Sequence, residues 1–276
     1  MRDVQVSTRP VLVALDIDGT LLLQDESLSE GILEAIRDAE AAGHTLMIAT
    51  GRSWNTVQRI MRELGLAPEY VVASNGAVIL RRDESDATGY APFKVETFEP
   101  AGVLTLLREH LPEARYMVEQ PDGARLYTED IPEWELGRAK QVPFEVMLEV
   151  PVSRVVVVSP THDNDDFLRL VESIGLNQVS YAVGWTAWLD IAPHGVNKGT
   201  ALEQVREWLG FAPADVLVIG DGRNDLEMFA WAREAGGRAF AMGQGPQEVL
   251  DAATHITGTV HEGGAARVLR DLAANA

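Results

Sequence analysis

An apolar run followed at once by two aspartates constrains the fold of this chain more than any other stretch. Residues 11–15 are Val-Leu-Val-Ala-Leu, and an uninterrupted run of this kind is typical of a strand buried on both faces of a parallel sheet. Asp16 and Asp18 follow it. Because side chains two positions apart on extended backbone point to the same side, we expect both carboxylates to face one site.

The same two aspartates predict a bound cation. Like charges at the end of a buried strand cost on the order of 1 to 4 kcal/mol each unless an ion of opposite charge neutralises them. Gly19 directly after them lets the chain turn away sharply. This stretch therefore predicts a site for a hard metal ion.

Strand and helix signals alternate along both ends of the chain. This alternation with short connections predicts an α/β fold with a doubly wound, Rossmann-like parallel sheet, in which ligands bind beyond the carboxyl ends of the strands. Each candidate strand is followed by polar residues, which fits such a site. The expected strands are 11–15, 45–49, 70–73, 216–219 and 238–242, and the expected helices are 29–42, 53–64, 201–209 and 264–273.

The pattern changes in the middle of the chain. Residues 82–89 are polar and rich in turn formers, which predicts a hinge. Beyond them the sequence favours a second α/β domain inserted into the first. We therefore expect a core formed by residues 1–82 and 191–276 and an inserted domain at 83–190. Within it we expect helices at 101–110 and 165–174 and strands at 115–119, 125–128, 154–158 and about 181–185.

Composition limits the partners. The 276 residues carry 23 basic and 42 acidic side chains, a formal net charge of −19, which argues against nucleic acid or an anionic membrane as a partner. An anionic substrate would then need local positive charge. The absence of cysteine excludes disulfides and thiol chemistry. Met1-Arg2-Asp3 begins no long apolar stretch, so a cytoplasmic location is expected.

Four short motifs occur in order, each after a candidate strand or before a helix. Together they resemble the motifs of the haloacid dehalogenase (HAD) superfamily, and the insertion between the second and third resembles the α/β cap of its Cof-type (type IIB cap) sugar-phosphatase branch. The resemblance covers essentially the whole chain. The motifs are Asp16-Ile17-Asp18-Gly19-Thr20, Thr50-Gly51-Arg52, Asn197-Lys198-Gly199 and Gly220-Asp221-Gly222-Arg223-Asn224-Asp225.

The resemblance implies a role for each catalytic position. Asp16 would be the nucleophile that forms an aspartyl-phosphate, and Asp18 would protonate the leaving alcohol and then activate water. Lys198 would supply a point charge to the phosphate and the nucleophile. Asp225 is expected just outside the metal site, orienting Lys198.

The resemblance also implies a metal and a phosphate site. Mg²⁺ takes oxygen ligands, which suits the Asp16 carboxylate, the Asp18 backbone carbonyl and Asp221, with Asn224 nearby. Thr50 and the Gly51 amide would hydrogen-bond the transferred oxygens. Two further positions, Arg52 and Asn75, are ones that the family often uses near the substrate or the cap.

Several of these residues have a purely structural interpretation. Thr50 could cap the following helix, Lys198 could be a solvated lysine at a helix start, and Asp225 could be an ordinary first-turn acid. Trp185 and Trp188 could stack on a sugar, although core packing is the better interpretation. The sequence also departs from the family at Gln244-Gly245, where Asn-Ala commonly follows Ala241-Met242-Gly243.

The predicted function is a Mg²⁺-dependent phosphomonoester hydrolase acting on a small polar phosphorylated metabolite, with a sugar phosphate as the expected class. A sugar phosphomutase would share the core and the paired aspartates. A signalling receiver, which holds a phosphorylated aspartate without turnover, is a third reading, but receivers place the acceptor after a later strand and lack an inserted domain. The sequence leaves the natural substrate and the oligomeric state open.

Overall fold

A computed structural model describes residues 9–129, 138–176, 179–183 and 187–276. Trp185 lies outside these ranges. In chain order the strands are β1 (Leu12–Leu15), β2 (Thr45–Ile48), β3 (Tyr70–Ala73), β4 (Val78–Arg82), β5 (Tyr90–Val95), β6 (Arg115–Glu119), β7 (Arg125–Tyr127), β8 (Ala139–Gln141), β9 (Arg154–Val158), β10 (Val179–Val183), β11 (Trp188–Pro193), β12 (Val216–Gly220), β13 (Arg238–Ala241) and β14 (His255–Ile256).

The helices follow the predicted alternation. In chain order they are α1 (Ile32–Ala41), α2 (Trp54–Leu64), α3 (Ala101–His110), α4 (Phe144–Met147), α5 (Asn164–Ile174), α6 (Lys198–Leu209), α7 (Leu226–Glu234), α8 (Gln247–Ala252) and α9 (Gly264–Ala274). Short 3-10 turns lie at Ser74–Gly76, Arg223–Asp225 and Val260–Glu262. Across the described ranges, no helix has both the length and the apolar content that crossing a membrane would require.

The predicted doubly wound core is confirmed. Within the described residues, parallel strands form a sheet in the order β14-β13-β12-β1-β2. Successive side chains of β1 enter two different apolar clusters, as the alternation of a strand requires. Val13 and Leu15 pack with residues of α1, α2 and α9, whereas Leu12 and Ala14 pack with residues of α6 and α7. Helices therefore cover both faces of the sheet.

Helix α6 begins earlier than predicted. We expected a start at residue 201, but the helix begins at Lys198. Asn197 caps it, because its side-chain oxygen accepts the Thr200 N–H at 2.9 Å while the Thr200 hydroxyl accepts the Asn197 N–H at 3.0 Å. The lysine of the third motif thus stands in the first turn of a capped helix.

The predicted hinge at 82–89 is wrong, because these residues connect two paired strands. β3, β4 and β5 form an antiparallel sheet, in which Arg82 lies opposite Tyr90. A parallel bridge between Ala49 and Val72 joins it to the end of β2. The segment 83–89 is therefore the turn of a hairpin that extends the core.

A second sheet, here called the cap sheet, carries the predicted inserted α/β unit. Its strand order among the described residues is β10-β11-β9-β6-β7-β8, with antiparallel pairing except between β7 and β8. One face packs against α3 and α5 through a cluster that includes Leu104, Val155, Val157 and Phe167. The opposite face remains for contacts with the core.

The chain passes from core to cap sheet over a very short distance. The Glu96 N–H still bonds to the Ala77 carbonyl at 2.9 Å, and Phe98 already exchanges two backbone hydrogen bonds with Val152, at 2.9 and 3.0 Å. The return follows β11, which continues to Pro193. The division at 82/83 and 190/191 stays a prediction, and these pairings favour limits near residues 97 and 193.

Gly76 provides a test of this packing. Its φ is +97°, and an added Cβ would lie 2.3 Å from the Asn197 carbonyl oxygen. Gly89 has a similar φ of +79° with no atom within 4 Å of an added Cβ. We expect Gly89→Ala to cost about 1 kcal/mol of unfolding free energy, from backbone strain alone. Gly76→Ala should cost at least ~2 kcal/mol more, because the added methyl overlaps backbone.

Urea denaturation of both variants measures the difference. Equal losses for Gly76→Ala and Gly89→Ala would contradict the close approach of Gly76 to Asn197.

Candidate active site

The first and fourth motifs meet at the carboxyl edge of the core sheet. β1 and β12 are paired in parallel with Leu15 opposite Ile219, and the Asp16 N–H bonds to the Ile219 carbonyl at 3.0 Å. Asp16 follows β1, and Asp221 follows β12. Because parallel strands end at the same edge, the two carboxylates are brought together from segments far apart in sequence.

Lys198 lies between two aspartates and has no exposed surface. Its Nζ is 2.6 Å from Asp16 Oδ1 and 2.6 Å from Asp225 Oδ1. The interpretation of Lys198 as a solvated lysine is therefore wrong. A cation in the first turn of a helix opposes the helix dipole, and here the two carboxylates offset that cost. Attraction to both carboxylates raises the pKa of Lys198 despite its burial, so the ammonium stays charged.

Asp225 also shapes the loop of the fourth motif. Its Oδ2 accepts the backbone N–H groups of Asp221 and Gly222 at 2.9 and 3.0 Å. Gly220 fits closely against it, since an added Cβ would lie 2.3 Å from Asp225 Oδ2. Asp225 is fully buried, so it is not an ordinary surface acid of a helix start. One side chain thus holds both the lysine and the loop that carries Asp221.

The described residues bring three buried carboxylates together. Oxygens of Asp16, Asp221 and Asp225 all lie within 4.8 Å of one another. Gly19 makes room for Asp221, because a Cβ there would lie 2.0 Å from Asp221 Oδ2. Clustered carboxylate oxygens are the donor set that hard divalent cations prefer. The predicted cation site is therefore matched by an acidic cluster, in which Lys198 balances part of the charge.

Burial makes these carboxylates difficult to ionise. Burial raises the pKa of Asp16 to about 7, with the Asp225 and Asp18 carboxylates adding to the shift and the Lys198 ammonium opposing it. Burial, together with the charges of Asp16 and Asp225, raises the pKa of Asp221 to about 8. A cation among these oxygens would favour their charged forms. The pocket therefore has an electrostatic need for positive charge beyond Lys198.

Contrary to expectation, the Asp18 carboxylate does not join the three clustered carboxylates but lies half-exposed against Arg52. Its carboxylate receives two nearly parallel hydrogen bonds from Arg52, Nε to Oδ2 at 2.8 Å and Nη2 to Oδ1 at 2.6 Å. Arg52 also bonds to Glu26 at 3.0 Å, and Glu26 in turn pairs with Arg59. Held in this way, Asp18 acts only as an acceptor. Its predicted work as a proton donor requires that it leave Arg52.

The remaining predicted residues surround the cluster. Thr50 is buried, and its hydroxyl accepts the Arg52 N–H at 3.1 Å. It does not cap α2, since Ser53 occupies that position. Gly51 lies against Asn75, because an added Cβ would be 3.1 Å from Asn75 Oδ1. The structure thus gathers the second motif, Asn75 and Asn224 into one neighbourhood, and Asn224 Nδ2 donates to Asn75 Oδ1 at 3.1 Å.

The contact made by Gln244 was not expected from the sequence. Its Nε2 donates to the Gly19 carbonyl at 2.6 Å and to Asp221 Oδ2 at 3.3 Å, and its Oε1 accepts the Val260 N–H. Gln244 thus ties the loop of the first motif to that of the fourth. The departure from the family pattern at this position had put any contact from the loop in doubt, and these hydrogen bonds show that Gln244 makes contacts there.

A cleft opens between the core and the cap sheet. Its empty volume, including space open to solvent, is about 310 Å³. The core contributes Asn75, Lys198 and Asn224, and the cap sheet contributes Tyr181 and Asp190. Trp188 is half-buried on β11. Core packing stays the prediction for Trp188, and Trp185 lies outside the described residues.

Fold and site together define a doubly wound α/β core with a cap sheet and a buried aspartate–lysine pair at the carboxyl edge of the core sheet. Residues 13–269 match the family model of haloacid dehalogenase-like hydrolases. The chain belongs to this family, as the resemblance of its motifs predicted.

Two relatives and one solved structure illustrate the membership. YxeH of Bacillus subtilis (strain 168), a predicted phosphatase, is 31% identical over 273 residues, covering 95% of this chain and 97% of its own. YitU of the same organism, a 5-amino-6-(5-phospho-D-ribitylamino)uracil phosphatase, is 26% identical over 278 residues, with coverages of 96% and 98%. The structure of a sugar phosphatase of HAD subclass IIB matches with a TM-score of 0.77 and 19% identity, covering 95% of this chain and 98% of that chain.

These findings fix the enzyme type. The structural match establishes the fold, including the capped architecture, and the family establishes a HAD-type phosphatase.

The raised pKa of Asp221 gives a prediction for stability. The folded state holds a proton that the unfolded chain releases above pH 3.8, so the metal-free protein should lose stability as pH rises from 3.8 towards about 8. Asp221→Asn removes this titration. In chelator, the variant should lose roughly 1–3 kcal/mol less unfolding free energy than the wild type between about pH 5 and pH 8.

Chemical denaturation at the two pH values provides the measurement, and Asp38→Asn, at an exposed position of α1, serves as the control. If wild type and Asp221→Asn showed the same pH dependence, Asp221 would not be a carboxyl group with a raised pKa.

Proposed function

We propose that this protein is a Mg²⁺-dependent phosphomonoester hydrolase that works through an aspartyl-phosphate on a small polar phosphorylated metabolite, with a sugar phosphate as the substrate class. The observation that carries the proposal is the burial of Asp16 against Lys198, beside Asp221, at the carboxyl edge of the sheet. A nucleophilic carboxylate, a fixed ammonium and an acidic cluster are the parts that phosphoryl transfer needs.

The residues present fit Mg²⁺. The cluster offers oxygen ligands, and the raised pKa values of Asp16 and Asp221 mark carboxylates that an added cation would stabilise in the charged form. Asp16, Asp221, the Asp18 backbone carbonyl and Asn224 would hold the ion. When bound, Mg²⁺ would neutralise charge on the phosphate oxygens.

The side chains of the protein divide the reaction into two steps. A carboxylate oxygen of Asp16 attacks phosphorus, and the bond to the alcohol oxygen breaks. Asp18, once it has left Arg52 and taken up a proton, gives that proton to the alcohol oxygen. Asp18, now ionised, then takes a proton from a water molecule that attacks the aspartyl-phosphate, which releases phosphate and restores Asp16. Lys198 balances charge throughout, and Thr50 with the Gly51 amide would hold the transferred oxygens.

The lining of the cleft suits a small polar substrate. Asn75, Asn224 and Asp190 place polar side chains on its wall. YitU acts on a phosphorylated ribityl compound, and the structural neighbour acts on sugar phosphates. A small polar leaving group in this cleft would meet the amides of Asn75 and Asn224.

The nucleophile can be tested by an isosteric change. Asp16→Asn should lower kcat at least ~10³-fold while the protein stays folded, because the amide cannot form the phosphoenzyme. Phosphate release and circular dichroism measure the two effects. Asp25→Asn, at an exposed position of the following loop, should leave kcat within about 2-fold. Retained activity in Asp16→Asn would refute the assignment.

A second experiment tests the metal, the reaction type and the substrate together. A panel of phosphorylated metabolites is assayed for phosphate release, with and without EDTA and with Mg²⁺ restored. We expect sugar phosphates among the best substrates, at least ~10-fold loss in chelator, and recovery with Mg²⁺. Full activity in chelator would remove the metal from the proposal. Isomer formation without phosphate release would show a phosphomutase.

A further inference from the structure

Four charged side chains form a row on one face of the cap sheet. Glu119 lies opposite Arg125 on one side and Arg154 on the other. Asp190 lies opposite Val156, two residues from Arg154, and therefore points to the same face. Their exposed fractions are only 4 to 8%. Buried charges require partners, and these side chains pair as Glu119 with Arg125 and Arg154 with Asp190.

Three side chains of the core meet this row. Asn75 Nδ2 donates to Asp190 Oδ2 at 2.8 Å, and the Ser74 hydroxyl donates to Glu119 Oε1 at 3.3 Å. Arg125 donates to the Ser53 hydroxyl. The charged face of the cap sheet therefore lies against the core at two segments, the start of α2 and the turn at Ser74–Gly76.

That turn has an unusual backbone. Ser74 and Asn75 have φ values of 49° and 51°, in the left-handed region that residues other than glycine rarely adopt. The Ser74 N–H bonds to the Arg52 carbonyl at 2.9 Å, and the Asn75 N–H bonds to the Thr50 carbonyl at 3.0 Å. The second motif thus holds the turn in place, and a disfavoured conformation retained beside an active site points to a role in function.

The side-chain amide of Asn75 hydrogen-bonds both to the cap sheet and to the loop of the fourth motif. Its Nδ2 donates to Asp190, while its Oδ1 accepts from Asn224 Nδ2 at 3.1 Å. Arg154 fixes Asp190 in turn, through two hydrogen bonds of 2.7 Å. A chain of hydrogen bonds therefore runs from the cap sheet through Asn75 to the loop of the fourth motif. With its Nδ2 engaged, Asn224 keeps its side-chain oxygen for another contact.

We propose that Asp190 and Asn75 are positioning residues that link the cap sheet to the metal loop. Asp190 orients the Asn75 amide, and Asn75 orients Asn224 so that the Asn224 oxygen faces the acidic cluster. Neither Asp190 nor Asn75 need touch the ion. This inference rests on the proposed function, in which Asn224 helps to hold Mg²⁺.

Binding of Mg²⁺ to substrate-free protein, measured by isothermal titration calorimetry, tests the link without turnover. Asn75→Asp keeps the size but places a carboxylate against Asp190, and Asn75→Ala removes both bonds. Each should weaken Mg²⁺ binding about 10-fold or more, the usual effect of losing a partner that orients a ligand. The matched control is Ser74→Ala. It removes a hydrogen bond between the core and the cap sheet that does not belong to the series Asp190–Asn75–Asn224, so it should change Mg²⁺ binding less than about 2-fold.

The double variant Asp190→Asn/Asn75→Ala shows whether the two residues act on Mg²⁺ binding through one another or independently. Asp190→Asn should weaken Mg²⁺ binding in the same direction as Asn75→Ala, and the double variant should bind within about 2-fold of the weaker single variant. The inference would be overturned if the fold-losses of Mg²⁺ affinity in the two single variants multiplied in the double variant. It would also be overturned if Ser74→Ala lost as much Mg²⁺ affinity as Asn75→Ala. If Asp190→Asn or Asn75→Asp failed to fold, as judged by thermal unfolding, Asn75→Ala against Ser74→Ala decides.

The same measurements distinguish a failure of this inference from a failure of the proposed function. Wild-type protein that binds Mg²⁺ and releases phosphate, with Asn75 variants that bind Mg²⁺ equally well, overturns the inference alone. Wild-type protein that binds no Mg²⁺ overturns both.

Discussion

The attraction between the Lys198 ammonium and the carboxylates of Asp16 and Asp225 is the interaction on which the site depends. Removing three charges from water costs several kcal/mol for each ion, and short contacts of 2.6 Å on both sides are what offset that cost. The partners are 182 and 27 residues apart in sequence. Their pairing is satisfied only when β1, α6 and the loop after β12 are all in place, so the fold and the site depend on each other.

The charges of the pocket and of the whole protein have the same sign. The chain carries a net charge of −19, and three carboxylates crowd around a single buried lysine, yet the ligand of a phosphatase is an anion. Arg52, a second cation beside the site, is already balanced by Asp18 and Glu26. A phosphate would therefore meet little net attraction from these side chains alone, and the Mg²⁺ of the proposed function would supply the missing positive charge.

The core and its motifs were predictable from sequence because each rests on a local signal. An apolar run followed by aspartate marks β1. The cap by Asn197 was missed, so the helix was expected to begin at residue 201 instead of Lys198. Contacts across strands have no such signal. Glu119 and Arg154 are neighbours only through the register of β6 and β9, so their pairing could not be read from the chain.

The hairpin turn at 83–89 was mistaken for a hinge because polar residues rich in turn formers suit either. Gln244 was singled out as a departure from the family, but its bonds to Gly19 and Asp221 depend on how two distant loops meet.

The connection from the core to the cap sheet is a single residue long, at position 97, and this limits how the cap sheet can move. Glu96 belongs to the hydrogen bonding of the core and Phe98 to that of the cap sheet, and the return leaves Pro193 for the capped start of α6 a few residues later. Two tethers this short permit rotation about the line that joins them and resist sliding. The return tether ends at the first residue of α6, so such a rotation would pivot at the start of the helix that carries the buried Lys198 ammonium.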